Sequence, residues 1–160
     1  MSKKMIVLDQ AACTGCRQCE LVCSVKHTGE ANPARARINV IKWERRGYYL
    51  PVYCQHCAEP ACAAVCPKNA ISRDTETDRV VINRNLCIGC RMCVMACPFG
   101  AVAIDPKLGK SWKCDHCDGE PTCVAFCEAG ALKYLDSDTA NLAKKRAAGA
   151  RLAELMHIGS

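Results

Sequence analysis

Short apolar runs, each bounded by polar or turn residues, recur along the whole chain. Runs that predict β-strands lie at residues 5–8, 38–43, 48–52, 69–72, 79–83, 100–105 and 131–135. The polar segment 44–47 predicts a hairpin between two of these runs, and the segment 74–78 predicts a turn between two others. Closely spaced cysteines stand between the runs, followed by room for a short helix. The pattern predicts an α+β chain in which strand, cysteine loop, short helix and strand recur four times.

The last segment of the chain has no cysteine and predicts a helix. Residues 141–156 are rich in alanine, leucine, lysine and arginine, and residues 136–139 include side chains suited to an N-cap. Lys145 interrupts the apolar face of this helix, whose members are Leu142, Gly149, Leu152, Ala153 and Met156. So sparse a face is compatible with packing on the chain's own core, but it favours docking on a partner.

The densest cysteine group lies at residues 87–98. Its thiols are Cys87, Cys90, Cys93 and Cys97, and a proline follows the last. Three such thiols suit one iron–sulfur cubane wrapped by a tight loop, whereas the fourth, before proline, serves a neighbouring cluster. Disulfides need a geometry that this spacing rarely allows, and no secretory segment is present. Zinc usually takes two CxxC pairs rather than a triple with an offset fourth ligand, so the spacing indicates iron–sulfur ligation.

Similar groups occur four times. The first and third (CTGCRQCELVC and CIGCRMCVMAC) share a glycine, an arginine and every cysteine position, while the second and fourth share a histidine and a proline. Sixteen cysteines satisfy four [4Fe-4S] clusters. The candidate ligands are Cys13, Cys16, Cys19 and Cys23; Cys54, Cys57, Cys62 and Cys66; Cys87, Cys90, Cys93 and Cys97; and Cys114, Cys117, Cys123 and Cys127.

Other residues within the groups are candidates for supporting the clusters. Gly15 and Gly89 allow positive φ, which brings amides close to the sulfurs for N–H···S bonds, although a plain tight turn accounts for the same glycines. His56 and His116 are interpreted as hydrogen-bonding or packing residues beside the ligands, because the cysteines already fill the ligand positions.

Composition and charge change the picture in two ways. With 16 cysteines and only two phenylalanines in 160 residues, the apolar core is expected to be thin, and cluster ligation is expected to supply much of the folding energy. Trp43, Tyr48 and Tyr49 are expected to pack over a cluster. The formal charge of +6 alone would suit nucleic acid, but four clusters at about −2 each would bring the total to about −2. We therefore expect no nucleic-acid partner, and a zinc-based nucleic-acid-binding module is the alternative that iron and sulfide analysis would exclude.

Targeting and catalytic signals are lacking in the sequence. The basic start at residues 1–4 precedes an apolar run too short for a signal peptide, and no apolar stretch is long enough to cross a bilayer. A cytoplasmic location without membrane insertion is expected, with export alongside a signal-bearing partner as the alternative. No nucleophilic triad, phosphate loop or flavin fingerprint is present, so we expect an electron conduit rather than an enzyme.

The sixteen-cysteine arrangement, with its CPKNAI and CPFGAV tails, resembles the four-cluster ferredoxin-type electron-transfer subunit of molybdenum and tungsten pterin oxidoreductases, such as formate dehydrogenases and dimethyl sulfoxide reductase. The resemblance covers residues 5–135. It implies two nested bacterial-ferredoxin-like units: an outer unit from residues 1–30 and 110–135, and an inner unit from residues 50–109. Residues 31–49 would then be a hairpin insertion, and residues 136–160 a C-terminal helix and tail.

The same resemblance implies four ligand sets that cross between cysteine groups. Set 1 is Cys13, Cys16, Cys19 and Cys127; set 2 is Cys23, Cys114, Cys117 and Cys123; set 3 is Cys54, Cys57, Cys62 and Cys97; set 4 is Cys66, Cys87, Cys90 and Cys93. The sequence departs from the family pattern where Ser24 and Glu128 follow the fourth cysteines in place of proline.

Partners are implied by the same family. One is a catalytic tungsten or molybdenum pterin subunit, with the small iron–sulfur subunit of tungsten aldehyde oxidoreductase as the most similar member. The other is a reductase subunit or a ferredoxin. Alternatives are an electron carrier of a hydrogenase or formate dehydrogenase complex, and a cluster-carrying assembly factor. The helix at residues 141–156 is a candidate for self-association into an open filament.

Overall fold

The computed structural model describes residues 3–156, with the backbone alone at residues 143, 147 and 151–155. Strands and helices alternate through this part of the chain. The strands are β1 (Lys4–Leu8), β2 (Asn39–Trp43), β3 (Tyr48–Val52), β4 (Ile71–Arg73), β5 (Val80–Ile82), β6 (Val102–Ile104), β7 (Ser111–Lys113) and β8 (Leu132–Asp136). The helices are α1 (Gln18–Thr28), α2 (Ala61–Ala64), α3 (Met92–Ala96), α4 (Thr122–Ala125) and α5 (Ser137–Leu155).

The strands form four separate two-stranded antiparallel sheets. Three of them pair neighbours in the sequence, namely β2 with β3, β4 with β5, and β6 with β7. The fourth pairs β1 with β8, so that Ile6 lies opposite Tyr134. The two ends of the cysteine-bearing region therefore meet in one sheet, and the other three hairpins lie between them in the sequence.

The cysteine loops determine where the short helices begin. Arg17 and Arg91, the shared arginines of the first and third groups, take left-handed φ values of 64° and 66° immediately before α1 and α3. In the second and fourth groups Pro60 and Pro121 stand before α2 and α4, as expected of a residue with fixed φ at a helix start. The longer α1 ends at Gly29, which takes φ 72° and donates its amide to Val25 O at 2.9 Å.

Cysteine side chains make up much of the buried core. One core cluster combines aliphatic residues such as Ile6, Ile38 and Leu132 with buried cysteines of the first, second and fourth groups. A second, smaller core cluster holds Ile71, Val80 and Val102 around Cys93. This composition agrees with the expectation of a thin apolar core.

The tip of the β2–β3 hairpin corrects one expectation. Tyr49 packs on the first cysteine loop at Gly15, as expected of a covering residue. Trp43 and Tyr48 instead pack edge to face on each other, with ring centroids 5.4 Å apart, and remain 43% and 44% exposed. Opposite side chains at the end of a two-stranded ribbon contact each other more readily than the body of the protein.

The C-terminal helix begins earlier than predicted. Ser137 follows β8 directly and donates its amide to Lys3 O at 2.8 Å, and Ala140 is fully buried. The first turn of α5 thus packs on the chain's own β1 and β8. Farther along, Leu142 and Met156 are exposed. Within residues 3–156 no helix is both long and apolar enough to cross a bilayer.

Candidate iron–sulfur sites

The four thiols of set 3 line one cavity of about 360 Å³, although they come from the second and third cysteine groups. The tight loop of the second group and the start of α2 carry three of them, and the end of α3 carries Cys97. Apolar side chains such as Val80 and Val102 complete the wall.

Sets 1 and 4 are arranged in the same way. The thiols of set 1 line a cavity of about 360 Å³, in which Cys127 from the end of α4 joins three cysteines of the first group. The thiols of set 4 line a cavity of about 320 Å³, in which Cys66 joins three cysteines of the third group. In each cavity the fourth thiol thus comes from a group distant in the sequence.

Set 2 forms the most buried thiol group. Burial raises the pKa of the Cys123 thiol, and the nearby thiols of Cys114, Cys23 and Cys117 raise it further. Cys114 and Cys123 are both less than a tenth exposed. The four members of set 2 therefore lie close together, with Cys23 supplied by α1.

Neighbouring sets approach each other in numerical order. Burial is the largest cause of the raised pKa of the Cys123, Cys114 and Cys62 thiols, and a thiol from the adjacent set raises each pKa further. The pairs that join one set to the next are Cys19 with Cys123, Cys54 with Cys114, and Cys93 with Cys62. The order of the sets is therefore 1, 2, 3, 4. At the two ends, Cys16 of set 1 and Cys90 of set 4 are exposed.

Backbone amides are directed at the sulfurs, as the sequence predicts. Amide-to-sulfur distances of 3.3–3.4 Å join Arg37 to Cys23, His56 to Cys54, Ala70 to Cys66, Ala101 to Cys97 and Ser111 to Cys87. Such bonds favour the thiolate form that binds metal. At Cys87 the amides of Ser111 and Gly89 lower the thiol pKa, outweighing the effect of burial.

Gly15 and Gly89 both take the positive φ that was predicted, at 69° and 73°. A Cβ atom on Gly89 would collide with the carbonyl oxygen of Gly109, and one on Gly15 would collide with the ring of Tyr49. Close approach of neighbouring atoms, as well as φ, therefore requires glycine at these two positions.

The predicted histidines pack beside the ligands. Their rings lie 4.1 Å apart, and Val80 N donates to His56 Nδ1 at 3.0 Å. Burial lowers the pKa of His56 to about 2 and that of His116 to about 4, so both rings are neutral. The nearby ammonium of Lys113 and guanidinium of Arg79 contribute to both shifts.

Each of the cavities suits an iron–sulfur cluster by its chemistry, because four thiols converge on an otherwise largely apolar wall. The family model for a 4Fe-4S dicluster domain matches residues 45–138, which is more than half of the chain. The chain belongs to this family. A second model, for a 4Fe-4S binding domain, matches residues 10–26 of the dicluster-family chain and includes its first cysteine group.

Curated relatives of the dicluster-family chain are subunits of oxidoreductases. The polyferredoxin-like subunit of aliphatic sulfonate oxidoreductase from Pyrococcus furiosus is 41% identical over 133 residues, covering 81% of this chain and 76% of the relative. The B subunit of the anaerobic dimethyl sulfoxide reductase of Haemophilus influenzae is 36% identical, covering 81% and 72%. Subunit beta of the NADH-dependent phenylglyoxylate dehydrogenase of Aromatoleum evansii is 36% identical over 86% of this chain, which spans only 31% of that subunit.

Solved structures show a similar fold. A chain of the active site complex BamBC of benzoyl coenzyme A reductase in complex with benzoyl-CoA matches with a TM-score of 0.52 and 28% identity, covering 84% of this chain and 80% of that one. The same complex as isolated matches 98% of this dicluster-family chain at 27% identity and a TM-score of 0.52. Ferredoxin-type [4Fe-4S] binding is thereby confirmed for the chain, whereas the number of clusters and the ligand sets stay predictions.

Sequence reasoning missed three polar residues beside the thiols. Ser111 Oγ lies 3.2 Å from Cys93 Sγ, and Lys113 Nζ lies 3.2 Å from Cys54 Sγ. The buried Glu20 carboxylate accepts hydrogen bonds from Val40 N and Arg17 Nε, both at 2.6 Å, and so fastens the first cysteine group to the β2–β3 hairpin. The signal for the first two was their place directly before the fourth group, in a stretch without apolar alternation.

Proposed function

We propose that this chain is the electron-transfer subunit of an oxidoreductase complex, that it holds four [4Fe-4S] clusters in sets 1–4, and that it catalyses no reaction of its own. The observation that carries the proposal is the crossing of cysteine groups: each cavity receives three thiols from one group and one from a distant group. This crossing is the ligation pattern of two-cluster ferredoxins, here repeated in two nested units.

Bound [4Fe-4S] clusters would supply one-electron carriers whose potentials depend on charge, hydrogen bonds and solvent exposure. The chain's own residues do the rest. Thiols hold the clusters, amides such as those of Ala70 and Ala101 donate to the sulfurs, and buried side chains exclude water from sets 2 and 3. These contacts fix the surroundings of each carrier before an electron arrives.

The linear order of the sets supports passage of electrons through the chain. Exposed Cys16 and Cys90 belong to the first and last sets, whereas sets 2 and 3 have no exposed cysteine. Electrons would therefore enter at one end and leave at the other. This arrangement requires two partners, one at each end.

For the partner at one end we propose the catalytic subunit of an oxidoreductase. The names of the relatives from Pyrococcus furiosus and Haemophilus influenzae support this class. Within it, the family resemblance favours a tungsten or molybdenum pterin subunit, specifically of an aldehyde oxidoreductase, with a hydrogenase or formate dehydrogenase complex as the alternative. A reductase subunit or ferredoxin would occupy the other end. We place the complex in the cytoplasm, where thiols stay reduced for cluster assembly.

The test is anaerobic purification from the native source under conditions that keep complexes intact. We expect about sixteen iron and sixteen sulfide per chain, together with a catalytic subunit in a fixed ratio. Bound zinc without iron would overturn the cluster assignment. A fully loaded chain that never purifies with a catalytic subunit would instead favour an assembly factor.

A further inference from the structure

A buried lysine lies where sets 2 and 3 meet. Lys113, in β7, directly precedes Cys114 of set 2 and is 4% exposed. Its ammonium donates to Cys54 Sγ of set 3 at 3.2 Å, to Cys114 O at 3.4 Å and to Val80 O. These three acceptors match the three donors of an ammonium group.

The charge of Lys113 has no carboxylate partner among residues 3–156. Removing an ammonium from water is costly unless an opposite charge lies nearby. The charge of Lys113 also lowers the pKa of a second set 3 thiol, Cys62, against the larger effect of burial. The negative charge that this lysine faces is therefore that of the set 3 thiolates and whatever they hold.

The corresponding position of the second cysteine group carries a tyrosine. Tyr53 directly precedes Cys54, as Lys113 precedes Cys114. Its hydroxyl donates to Ile6 O at 3.1 Å. Burial raises the Tyr53 pKa to about 12, and the thiols of Cys114 and Cys123, both in set 2, contribute to the rise. Each residue thus reaches the opposite set, but Lys113 brings a positive charge to set 3 and Tyr53 brings a neutral ring to set 2.

We propose that Lys113 raises the reduction potential of the set 3 cluster above that of the set 2 cluster, and so makes the two inner stations of the relay unequal. The inference rests on the proposed function, since it requires clusters in both sets. A cluster gains one negative charge when it is reduced, and a fixed positive charge beside its ligands stabilises that reduced form. The effect is strong because burial keeps water from screening the charge.

The experiment is a potentiometric titration of the isolated, fully loaded chain, followed by electron paramagnetic resonance. Lys113→Met removes the charge but keeps much of the side-chain volume, Lys113→Arg keeps the charge, and Tyr53→Phe is the matched control at the corresponding position. The signal of the set 3 cluster is first identified by its change in Cys62→Ser. We expect Lys113→Met to make reduction of this cluster about tenfold less favourable, a fall of about 59 mV for one electron.

Support requires that the fall is confined to the set 3 cluster, that Lys113→Arg retains most of the potential, and that Tyr53→Phe leaves set 3 unchanged. Equal potentials in wild type and a fully loaded Lys113→Met would overturn the inference. An equal fall in Lys113→Arg would do the same. Loss of iron from both Lys113→Met and Lys113→Gln would assign the lysine to cluster assembly instead. A wild-type chain without cluster signals refutes the proposed function itself, so the two failures are distinguishable.

Discussion

Gly89 offers the sharpest test of how tightly the cysteine loops are built. The perturbation is Gly89→Ala, which adds one methyl group between Cys87 and Cys90 of set 4. The matched control is Gly100→Ala, because Gly100 also takes positive φ, at 61°, but has no atom within 4 Å of an added Cβ. Both substitutions carry the cost of positive φ, and only the first carries the collision with Gly109 O.

The magnitudes follow from these two contributions. A side chain at left-handed φ costs about 1–2 kcal/mol, and this cost applies to both variants. A collision that forces backbone to shift adds about 1–3 kcal/mol. Gly89→Ala should therefore lose about 2–5 kcal/mol, and Gly100→Ala only about 1–2 kcal/mol.

The assay is the rate of cluster loss in denaturant under anaerobic conditions, followed by the visible absorbance of the clusters. Because cluster loss is irreversible, a rate is the appropriate measure of stability. Each 1.36 kcal/mol that is released on the way to the transition state accelerates loss about tenfold. Gly89→Ala should therefore lose its clusters at least several times faster than Gly100→Ala.

Gly15 supplies a second comparison, because the atoms that its Cβ would meet belong to the Tyr49 side chain. Adding Tyr49→Ala to Gly15→Ala should relieve the collision and leave only the cost of positive φ. Tyr49→Ala alone is the control for the lost ring. Equal rates for Gly89→Ala and Gly100→Ala, or no relief of Gly15→Ala by Tyr49→Ala, would refute this account of the loops.

Four further predictions address ligation, charge, metal and the C-terminal helix. Cys97→Ser should disturb the cluster signal of set 3, and loss of the set 4 signal with set 3 intact would contradict the crossed ligand sets. Asp105→Asn should speed cluster loss, since breaking a buried ion pair costs about 3–5 kcal/mol and Arg35 Nη2 lies 3.2 Å from Asp105 Oδ2. Burial raises the Asp105 pKa, but hydrogen bonds from two amides and Arg35 lower it more, so the wild type's advantage should be full above about pH 4 and fade in acid below it. Chelation of iron should abolish the cooperative thermal transition seen by circular dichroism, and a retained transition would mean that the apolar core suffices. Truncation after Asn141 should keep all iron but weaken complex or filament formation in sedimentation, whereas loss of iron with assembly intact would make α5 a structural lid.

Local sequence signals predicted the parts of the fold that depend on near neighbours. The paired runs of the β2–β3 hairpin, the cysteine spacing and the positive φ of Gly15 and Gly89 are each encoded within a few residues. The strand β7 was missed because Ser111, Trp112 and Lys113 show no apolar alternation, although all three are buried.

Contacts between distant segments could not be predicted in the same way. Lys113 and Cys54 are 59 positions apart, and nothing near either residue announces their contact. The early start of α5 likewise depends on the contact between Ser137 N and Lys3 O, which pairing of β1 with β8 creates. Residues 136–139 resemble caps when they are read alone, and only the tertiary contact extends the helix through them.

The pairing of β1 with β8 also sets a timetable for biosynthesis. Chains emerge from the ribosome with the N-terminus first. The thiols of sets 3 and 4 are all available once Cys97 has emerged, whereas sets 1 and 2 wait for Cys127 and Cys123. During that interval β1 has no strand to pair with, and the first cysteine group waits with it. Maturation should therefore proceed from the middle of the protein outward, and a nascent chain arrested shortly after Cys97 would be the natural substrate for the first round of cluster delivery.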